Sequence, residues 1–191
     1  MSKTIFFPLL LSVGGFLAAL PGVCADAIQR SVPGFHVERL EPIQASIQIP
    51  DGWHFRSEQK NDTTAFFVTR EPLDTAATFK IGLTINCVRH VTDKAHVKPS
   101  KYIDAFTRLM DTKESITNPR TNNQGPFNMI WFDVDLPNEG RNATHVKYFL
   151  IANDTTDTMY IMLFEAPQSE WTEAYEKGVV MLKNIVLDVT F

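Results

Sequence analysis

Two histidines and one aspartate lie close together in the sequence and have the side chains of a metal site. His90, Asp93 and His96 follow a predicted strand directly. Two imidazoles and a carboxylate are ligands that zinc and copper accept in proteins. Their spacing matches no known closed zinc site, and no fourth ligand stands out nearby. Histidines in a solvated loop would give the same pattern, so the segment predicts either a metal site or an exposed loop.

Cys87 is the one cysteine that lies beyond the first 25 residues. A thiolate paired with a histidine would be a nucleophile. However, Cys87 is in register with Ile81, Leu83 and Ile85 at alternate positions, the spacing of the buried face of a strand. A small thiol in that position is expected to pack in the core. The sequence also has no Gly-x-Ser-x-Gly motif, and we predict that the protein is not an enzyme.

Two sets of oxygen-bearing side chains could ligate calcium. The sets are Asp133, Asp135, Asn138 and Glu139, and Asp154 with Asp157. Neither set has the spacing of a calcium-binding loop. Charged residues on a solvated strand face and in turns explain both sets more simply, so the sequence predicts no cofactor.

Aromatic residues are plentiful, with 14 Phe, 4 Tyr and 3 Trp. They could line a cavity for a small hydrophobic ligand, or they could fill the core. Trp53 follows a turn, and Trp131 shares a predicted strand face with Asp133 and Asp135. Because an exposed tryptophan on a sheet is a common anchor for a protein partner, these four residues are the predicted binding residues.

Three consecutive predicted strands organise the rest of the chain: Asn128–Leu136, Thr144–Ala152 and Thr158–Glu165. Polar turns over residues 137–141 and 153–157 join them. In the first strand apolar residues alternate with Asp133 and Asp135. This alternation predicts an antiparallel sheet with one buried face and one face open to solvent.

The remaining segments complete the predicted domain. Further strands are predicted over residues 43–49, 65–70, 78–88 and 185–191. Helices are predicted from residue 99 or 100 to about 113, and from a Ser169 cap to about 182 or 183. Residues 27–41 are predicted as an extended segment, 91–98 as a loop and 115–124 as the least ordered interior stretch. The pattern indicates an α+β fold, an antiparallel sheet of about six to seven strands flanked by two main helices.

The first residues have the pattern of a secretory signal peptide. A short cationic start with Lys3 precedes an apolar run, and Val23-Cys24-Ala25 fits cleavage after Ala25. An uncleaved membrane anchor and a lipoprotein modified at Cys24 match the pattern less well. We therefore predict a periplasmic or secreted protein with a signal peptide over residues 1–25, one domain over residues 26–191 and no membrane span after cleavage.

The charge distribution argues against nucleic acid as a partner. The formal net charge is −4, and no basic stripe is present. Three Asn-x-Thr triplets begin at Asn61, Asn142 and Asn153 and would accept glycans only in a eukaryotic secretory pathway. Loops rich in Asn and Thr produce such triplets by chance, and we interpret them as accidental.

The order of the predicted elements and one local motif resemble the PsbP-like superfamily, which includes PsbP, the periplasmic DcrB and the Ran-binding Mog proteins. The motif is the turn Ile49-Pro50-Asp51-Gly52-Trp53 after the first strand of the domain. The resemblance extends from Pro42 to Phe191 and implies an α/β/α sandwich around an antiparallel sheet, in a bacterial periplasmic member. It also implies an accessory role rather than an enzymatic one. No binding motif matches position by position, so no functional residue is carried over.

These features together predict an exported accessory domain that binds an envelope protein. The predicted surface is the solvated sheet face around Trp131, with the loop from His90 to Lys98. The alternatives are a carrier or sensor of a small hydrophobic ligand and a hydrolase with dispersed catalytic residues.

Overall fold

A computed structural model describes residues 4–6, 31–73, 79–114, 116–138 and 141–191. The strands in chain order are β1 Thr4–Phe6, β2 Phe35–Leu40, β3 Ala45–Pro50, β4 His54–Lys60, β5 Thr63–Thr69, β6 Gly82–Arg89, β7 Thr117–Gln124, β8 Phe127–Asn138, β9 Arg141–Asn153, β10 Thr158–Pro167 and β11 Val186–Asp188. The α-helices are α1 Val91–Ala95, α2 Pro99–Glu114 and α3 Trp171–Lys183, and short 3₁₀ turns cover Glu41–Ile43 and Gln168–Glu170. No helix within these ranges is long and apolar enough to span a membrane.

The larger sheet has seven strands in the spatial order β4-β5-β6-β10-β9-β8-β7, and every neighbouring pair is antiparallel. Its strands β8, β9 and β10 form two consecutive hairpins and correspond to the three central strands predicted from the sequence. Their alternating aromatic and β-branched residues account for the long, regular pairing. The predicted α+β fold, with an antiparallel sheet and two main helices, is confirmed.

A second, smaller sheet was not predicted. It has the order β1-β11-β3-β2, with β2 paired along its whole length to β3 from Phe35↔Pro50 to Leu40↔Ala45. The segment predicted as merely extended therefore contains a strand, held by the buried side chains of Phe35 and Leu40 at its two ends. The predicted last strand is shorter than expected and pairs in this sheet. The predicted signal peptide lies outside the described residues except for β1, so it stays a prediction.

Both faces of the larger sheet are covered in the region of β8 and β9. One face packs with α2 in a smaller core that includes Ile103, Phe132 and Leu150. The other face packs with α3 and β3 in the larger core, where Met129 of β8 is buried and Trp131 is half-buried. The predicted solvent face of β8 is therefore wrong for Trp131 and Asp133, whereas Asp135 is exposed as predicted. Alternation correctly separated the two sets of side chains, but it carried no information about the second covering layer.

Close packing of α3 on the sheet depends on Gly178. A Cβ at this position would lie 2.8 Å from Cε2 of Phe164 on β10, closer than real Cβ atoms approach a neighbour. The helix can therefore lie directly over the aromatic ring only because glycine has no side chain. The predicted Ser169 cap is not the helix N-cap; that position is Glu170, the last residue of the 3₁₀ turn.

Two aspartates in the turn between β9 and β10 accept hydrogen bonds from the first turns of α1 and α2. Asp154 accepts hydrogen bonds from the backbone N–H and the hydroxyl of Ser100 at 2.8 and 2.7 Å. Asp157 accepts the N–H of Thr92 at 3.0 Å and its hydroxyl at 2.6 Å. Both carboxylates therefore cap helix N-termini from a distant part of the chain. The segment over residues 91–98, predicted as a loop, contains the short helix α1.

Candidate functional site: the edge strand and its groove

Strand β7 forms one edge of the larger sheet and is exposed along nearly its whole length. The prediction that residues 115–124 are the least ordered interior segment is wrong for this stretch. Its conformation comes from pairing with β8, from Arg120↔Trp131 to Gln124↔Phe127. The two strands are joined by the two-residue turn Gly125-Pro126, in which Gly125 has a φ of 57°. Glycine at the first position of such a turn favours a tight hairpin.

The register of this hairpin determines which backbone groups of β7 point outward. A two-residue turn is closed by a hydrogen-bonded pair, here Gln124 and Phe127, and the bonded pairs recur at every second residue. Thr121 and Asn123 therefore direct their N–H and C=O groups away from β8. The N–H of Asn123 donates to the side-chain Oδ1 of Asn122 at 2.9 Å, which agrees with this orientation.

A polar groove of about 180 Å³ lies beside β7, between this strand, β8 and the first turns of α2. Its walls include Thr121 and Asn123 from β7 and Ser100, Lys101 and Asp104 from α2. Lys101 and Asp104 form an exposed ion pair with a separation of 3.8 Å. The groove is large enough for a single side chain. Its lining is mostly polar, with Ile103, Met129 and Ile130 as the apolar part.

The first part of β7 is anchored by side chains because its ladder is interrupted. Asn118 has a φ of 53° and Pro119 has no N–H, and the register shifts between Thr117 and Arg120. Asn118 Nδ2 donates to Asp133 Oδ2 at 3.2 Å, and the hydroxyl of Thr117 donates to the Asp133 carbonyl at 3.4 Å. Asp133 therefore ties the edge strand to β8.

Asp133 is only 5% exposed and is held by groups from β9. Its Oδ1 accepts a hydrogen bond from Lys147 Nζ at 2.6 Å and lies 3.5 Å from Nε2 of His145. Nδ1 of His145 lies 2.6 Å from Oδ1 of Asp135. Hydrogen bonds, first from Gln168 and then from His145, lower the pKa of Asp135 below its ordinary value. Asp133 and Asp135 thus belong to one cross-strand charge network.

An aromatic cluster of α3 packs beside this network. The Trp171 ring stacks on Tyr175 with centroids 4.8 Å apart and meets the His145 ring edge-on at 4.1 Å. Burial, with the Asp133 charge as a second cause, raises the pKa of Tyr175 above its ordinary value. The contact with Trp171 fixes the orientation of His145. The charge network is therefore packed against α3, and it supports the β7–β8 hairpin.

The two predicted tryptophans face the larger core. Trp131 is opposite Phe149 in the sheet and lines an apolar cavity of about 20 Å³ with Met129, Leu182 and Ile185. Trp53 is half-buried and packs against the same core. Of the four predicted binding residues, only Asp135 is largely exposed. Trp131, Asp133 and Asp135 are on one face of β8, whereas Trp53 follows the turn after β3.

His90, Asp93 and His96 surround α1. His90 precedes the helix and His96 follows it, both with left-handed backbone at φ of 54° and 57°. Over the described ranges, no group of three His, Cys, Asp or Glu side chains is arranged to hold a metal ion. The structure thus does not bring these three residues together as a ligand set.

Two further titratable side chains, Cys87 and Glu165, are shielded from solvent by the fold. Cys87 is 1% exposed, and burial raises the pKa of its thiol to about 12. Burial also raises the pKa of Glu165 to about 7. The pKa of Tyr148 is also raised, mainly by burial and to a smaller extent by the charge of Glu165. Both residues lie on the α2 side of the sheet. The packing of Cys87 in the core agrees with the strand register of the sequence.

His145, Lys147 and the whole of β7 were not predicted from the sequence. The two β9 residues could have been found from the hairpin, because the paired register places Asp135 opposite His145 and Asp133 opposite Lys147. For β7 the composition gives no such signal, since the strand has no apolar alternation.

Comparison with known proteins identifies the fold of this chain. No family model matches the sequence, and no curated protein matches it. The structure is similar to that of cyanobacterial PsbP (CyanoP) from Synechocystis, with a TM-score of 0.53, 8% identity, and coverage of 86% of this chain and 96% of that one. This likeness shows the fold, and the predicted PsbP-like fold is confirmed. A bacterial periplasmic origin stays a prediction.

Other solved structures match less closely. Ran-binding protein Mog1p of Saccharomyces cerevisiae has a TM-score of 0.46 and 13% identity, with coverage of 79% of this chain and 94% of that one. LpqN, involved in cell envelope biogenesis of Mycobacterium tuberculosis, has a TM-score of 0.46 and 11% identity, with coverage of 80% and 91%.

Proposed function

We propose that this chain is an exported, non-enzymatic accessory domain that binds an envelope protein. The observation that carries the proposal is the exposed edge strand β7, with the 180 Å³ groove beside it. The strand is anchored at its base by Asp133 and closed at its tip by a tight turn. An exposed, polar edge that is held at both ends is suited to a protein partner, because little conformational entropy is lost when it binds.

The proposed surface differs from the one that the sequence predicted. Trp131 packs in the larger core, but its cross-strand neighbour Arg120 is exposed on β7. The binding surface therefore moves by one strand, from the middle of β8 to the edge of the sheet. The loop from His90 to Lys98 leads directly into α2, whose first turns form the opposite wall of the groove.

The apolar cavity beneath Trp131 does not favour a hydrophobic ligand. Its volume is about 20 Å³, whereas pockets for small ligands usually have at least about 300 Å³. The burial and raised thiol pKa of Cys87 likewise do not favour a thiol nucleophile. Partner binding is thus the function that the described surface supports best.

A photocrosslinking experiment on the full chain tests the proposal. Benzoylphenylalanine replaces Lys101 at the groove, and in a matched control it replaces Lys113 near the other end of the same helix. Both lysines are exposed, so both variants lose the same charge at a similar site. In the native envelope we expect an adduct of one discrete mass from position 101 and none from position 113. No adduct from position 101, or equal adducts from both, would contradict the proposal.

Export is tested separately by the mass of the chain recovered outside the cytoplasm. We expect an N-terminus at Asp26, after cleavage at Ala25. An intact N-terminus or a cytoplasmic location would contradict the exported part of the proposal.

A further inference from the structure

The outward edge of β7 carries backbone donors that β8 does not use. Thr121 and Asn123 direct their N–H groups away from the sheet, and the Asn123 N–H is satisfied by the adjacent Asn122 side chain. That bond is exposed and local, so another acceptor can replace it without any change in the fold. A backbone carbonyl of an incoming strand is such an acceptor.

The usable edge is short and has defined ends. Pro119 has no N–H and Asn118 is left-handed, while the Gly125-Pro126 turn closes the other end. Regular pairing between these limits covers Arg120 to Gln124. An added strand can therefore make regular hydrogen bonds along about five residues.

The opposite edge of the sheet has a different character. In β4 the charged residues Arg56, Glu58 and Lys60 alternate along the strand, and Arg56 pairs with Glu58. Alternating charges protect an edge from pairing with another chain. In the stretch from Arg120 to Gln124, Arg120 is the one charged residue. The edge at β7 is thus the less protected of the two.

We propose that the partner contributes an extended, polar segment that adds to the sheet as an eighth strand beside β7. The proposal rests on the proposed function and identifies how the partner is recognised. Backbone groups of Thr121 and Asn123 bind the segment, and one of its side chains enters the groove beside Lys101 and Asp104. The groove is lined by polar residues, among them Ser100 and Asn128, and by the apolar residues Ile103, Met129 and Ile130, so a partner side chain with an apolar stem and a polar end fits there.

Two substitutions at one position separate backbone from side-chain recognition. Thr121→Pro removes an outward N–H and leaves the bonds to β8 in place, whereas Thr121→Val removes the hydroxyl and keeps the N–H. Using the crosslinker at position 101, we expect Thr121→Pro to reduce the adduct about tenfold, since the partner loses one backbone bond, and Thr121→Val to change it less than about twofold. Equal losses in both variants, or an unchanged adduct in Thr121→Pro, would overturn strand addition.

A measurement on the unsubstituted chain covers the case in which Thr121→Pro does not fold. Mass spectrometry of the adduct identifies the crosslinked segment, and a synthetic peptide of that segment is then added to the isotopically labelled protein. We expect hydrogen exchange of the Thr121 and Asn123 amides to slow about tenfold or more, because both amides then donate to the added strand and are shielded from solvent. Binding of the peptide without slowing at either amide would overturn strand addition and leave the proposed function standing.

Two further outcomes are distinguishable. Failure of any adduct to form at position 101 would overturn the proposed function itself. An adduct of twice the mass of the chain would show that a second copy occupies the edge, and it would overturn the assignment of a different partner.

Discussion

Asp133 of β8 and Lys147 of β9 form a largely buried ion pair, with Nζ 2.6 Å from Oδ1. The same carboxylate accepts a hydrogen bond from Asn118 of β7, so one acidic group connects three neighbouring strands. The pair therefore supports the base of the proposed binding edge without forming part of its surface.

We expect Lys147→Met to lower the free energy of unfolding by about 3 kcal/mol, because the Asp133 charge stays buried without its partner. Lys101→Met is the matched control: its pair with Asp104 is exposed, and we expect a loss below about 0.5 kcal/mol. Urea unfolding at neutral pH measures both values. Equal effects of the two substitutions would contradict the structural role of the Asp133–Lys147 pair.

The Asp154 cap gives a second prediction. We expect Asp154→Ala to lower the free energy of unfolding by about 1 kcal/mol, because the N–H and hydroxyl of Ser100 lose their acceptor. Asp154→Asn keeps an oxygen acceptor in the same place, and we expect it to retain most of the stability. Hydrogen exchange should accelerate selectively in the first turn of α2 in the alanine variant. A uniform acceleration over the whole chain, or equal losses in both variants, would argue against a local cap.

The central strands could be predicted from the sequence because their apolar residues alternate. Ile130, Phe132 and Val134 are on one face of β8, as the pattern indicates, and all three are buried. Alternation identifies the two faces of a strand, but it does not show what covers each face. Trp131 and Asp133 were therefore assigned to solvent. Trp131 instead packs against the larger core, and Asp133 is buried against Asn118 and Lys147.

The edge strand could not be predicted in this way. A strand that is exposed on both faces needs no apolar residues, and the sequence from Thr117 to Gln124 has the composition of a loop. Its structure is imposed by the hydrogen-bonded ladder of β8. Exposure of both faces of β7 therefore has two consequences. The strand carries no apolar pattern from which it could be predicted, and its surface is accessible to a partner.

The buried thiol of Cys87 gives a third prediction. Because its pKa is raised to about 12 and its side chain is 1% exposed, the thiolate is nearly absent at pH 8. In a Cys24→Ala variant, we expect Ellman's reagent to react with Cys87 of the native protein about 1,000-fold more slowly than with Cys87 in guanidinium chloride. Ser57→Cys in a Cys24→Ala, Cys87→Ala background provides an exposed thiol as control and should react at once. Rapid labelling of native Cys87 would contradict the packed position.

Glu165 gives a fourth prediction, in which the sign depends on pH. Burial raises its pKa from 4.5 to about 7, so the folded state favours the protonated, neutral form. As pH rises from 4.5 to 7, the unfolded chain loses this proton before the folded chain does, and the free energy of unfolding falls; above pH 7 the loss is complete.

We therefore expect Glu165→Gln to be more stable than the parent protein at pH 8, by up to about 3 kcal/mol, with little gain at pH 4. Glu176→Gln, at an exposed position of α3, is the control and should give the same small difference at both pH values. Thermal melting across this range measures the effect. A stability gain in Glu165→Gln that did not depend on pH would show that packing, rather than ionisation of the half-buried carboxyl group, distinguishes the two proteins.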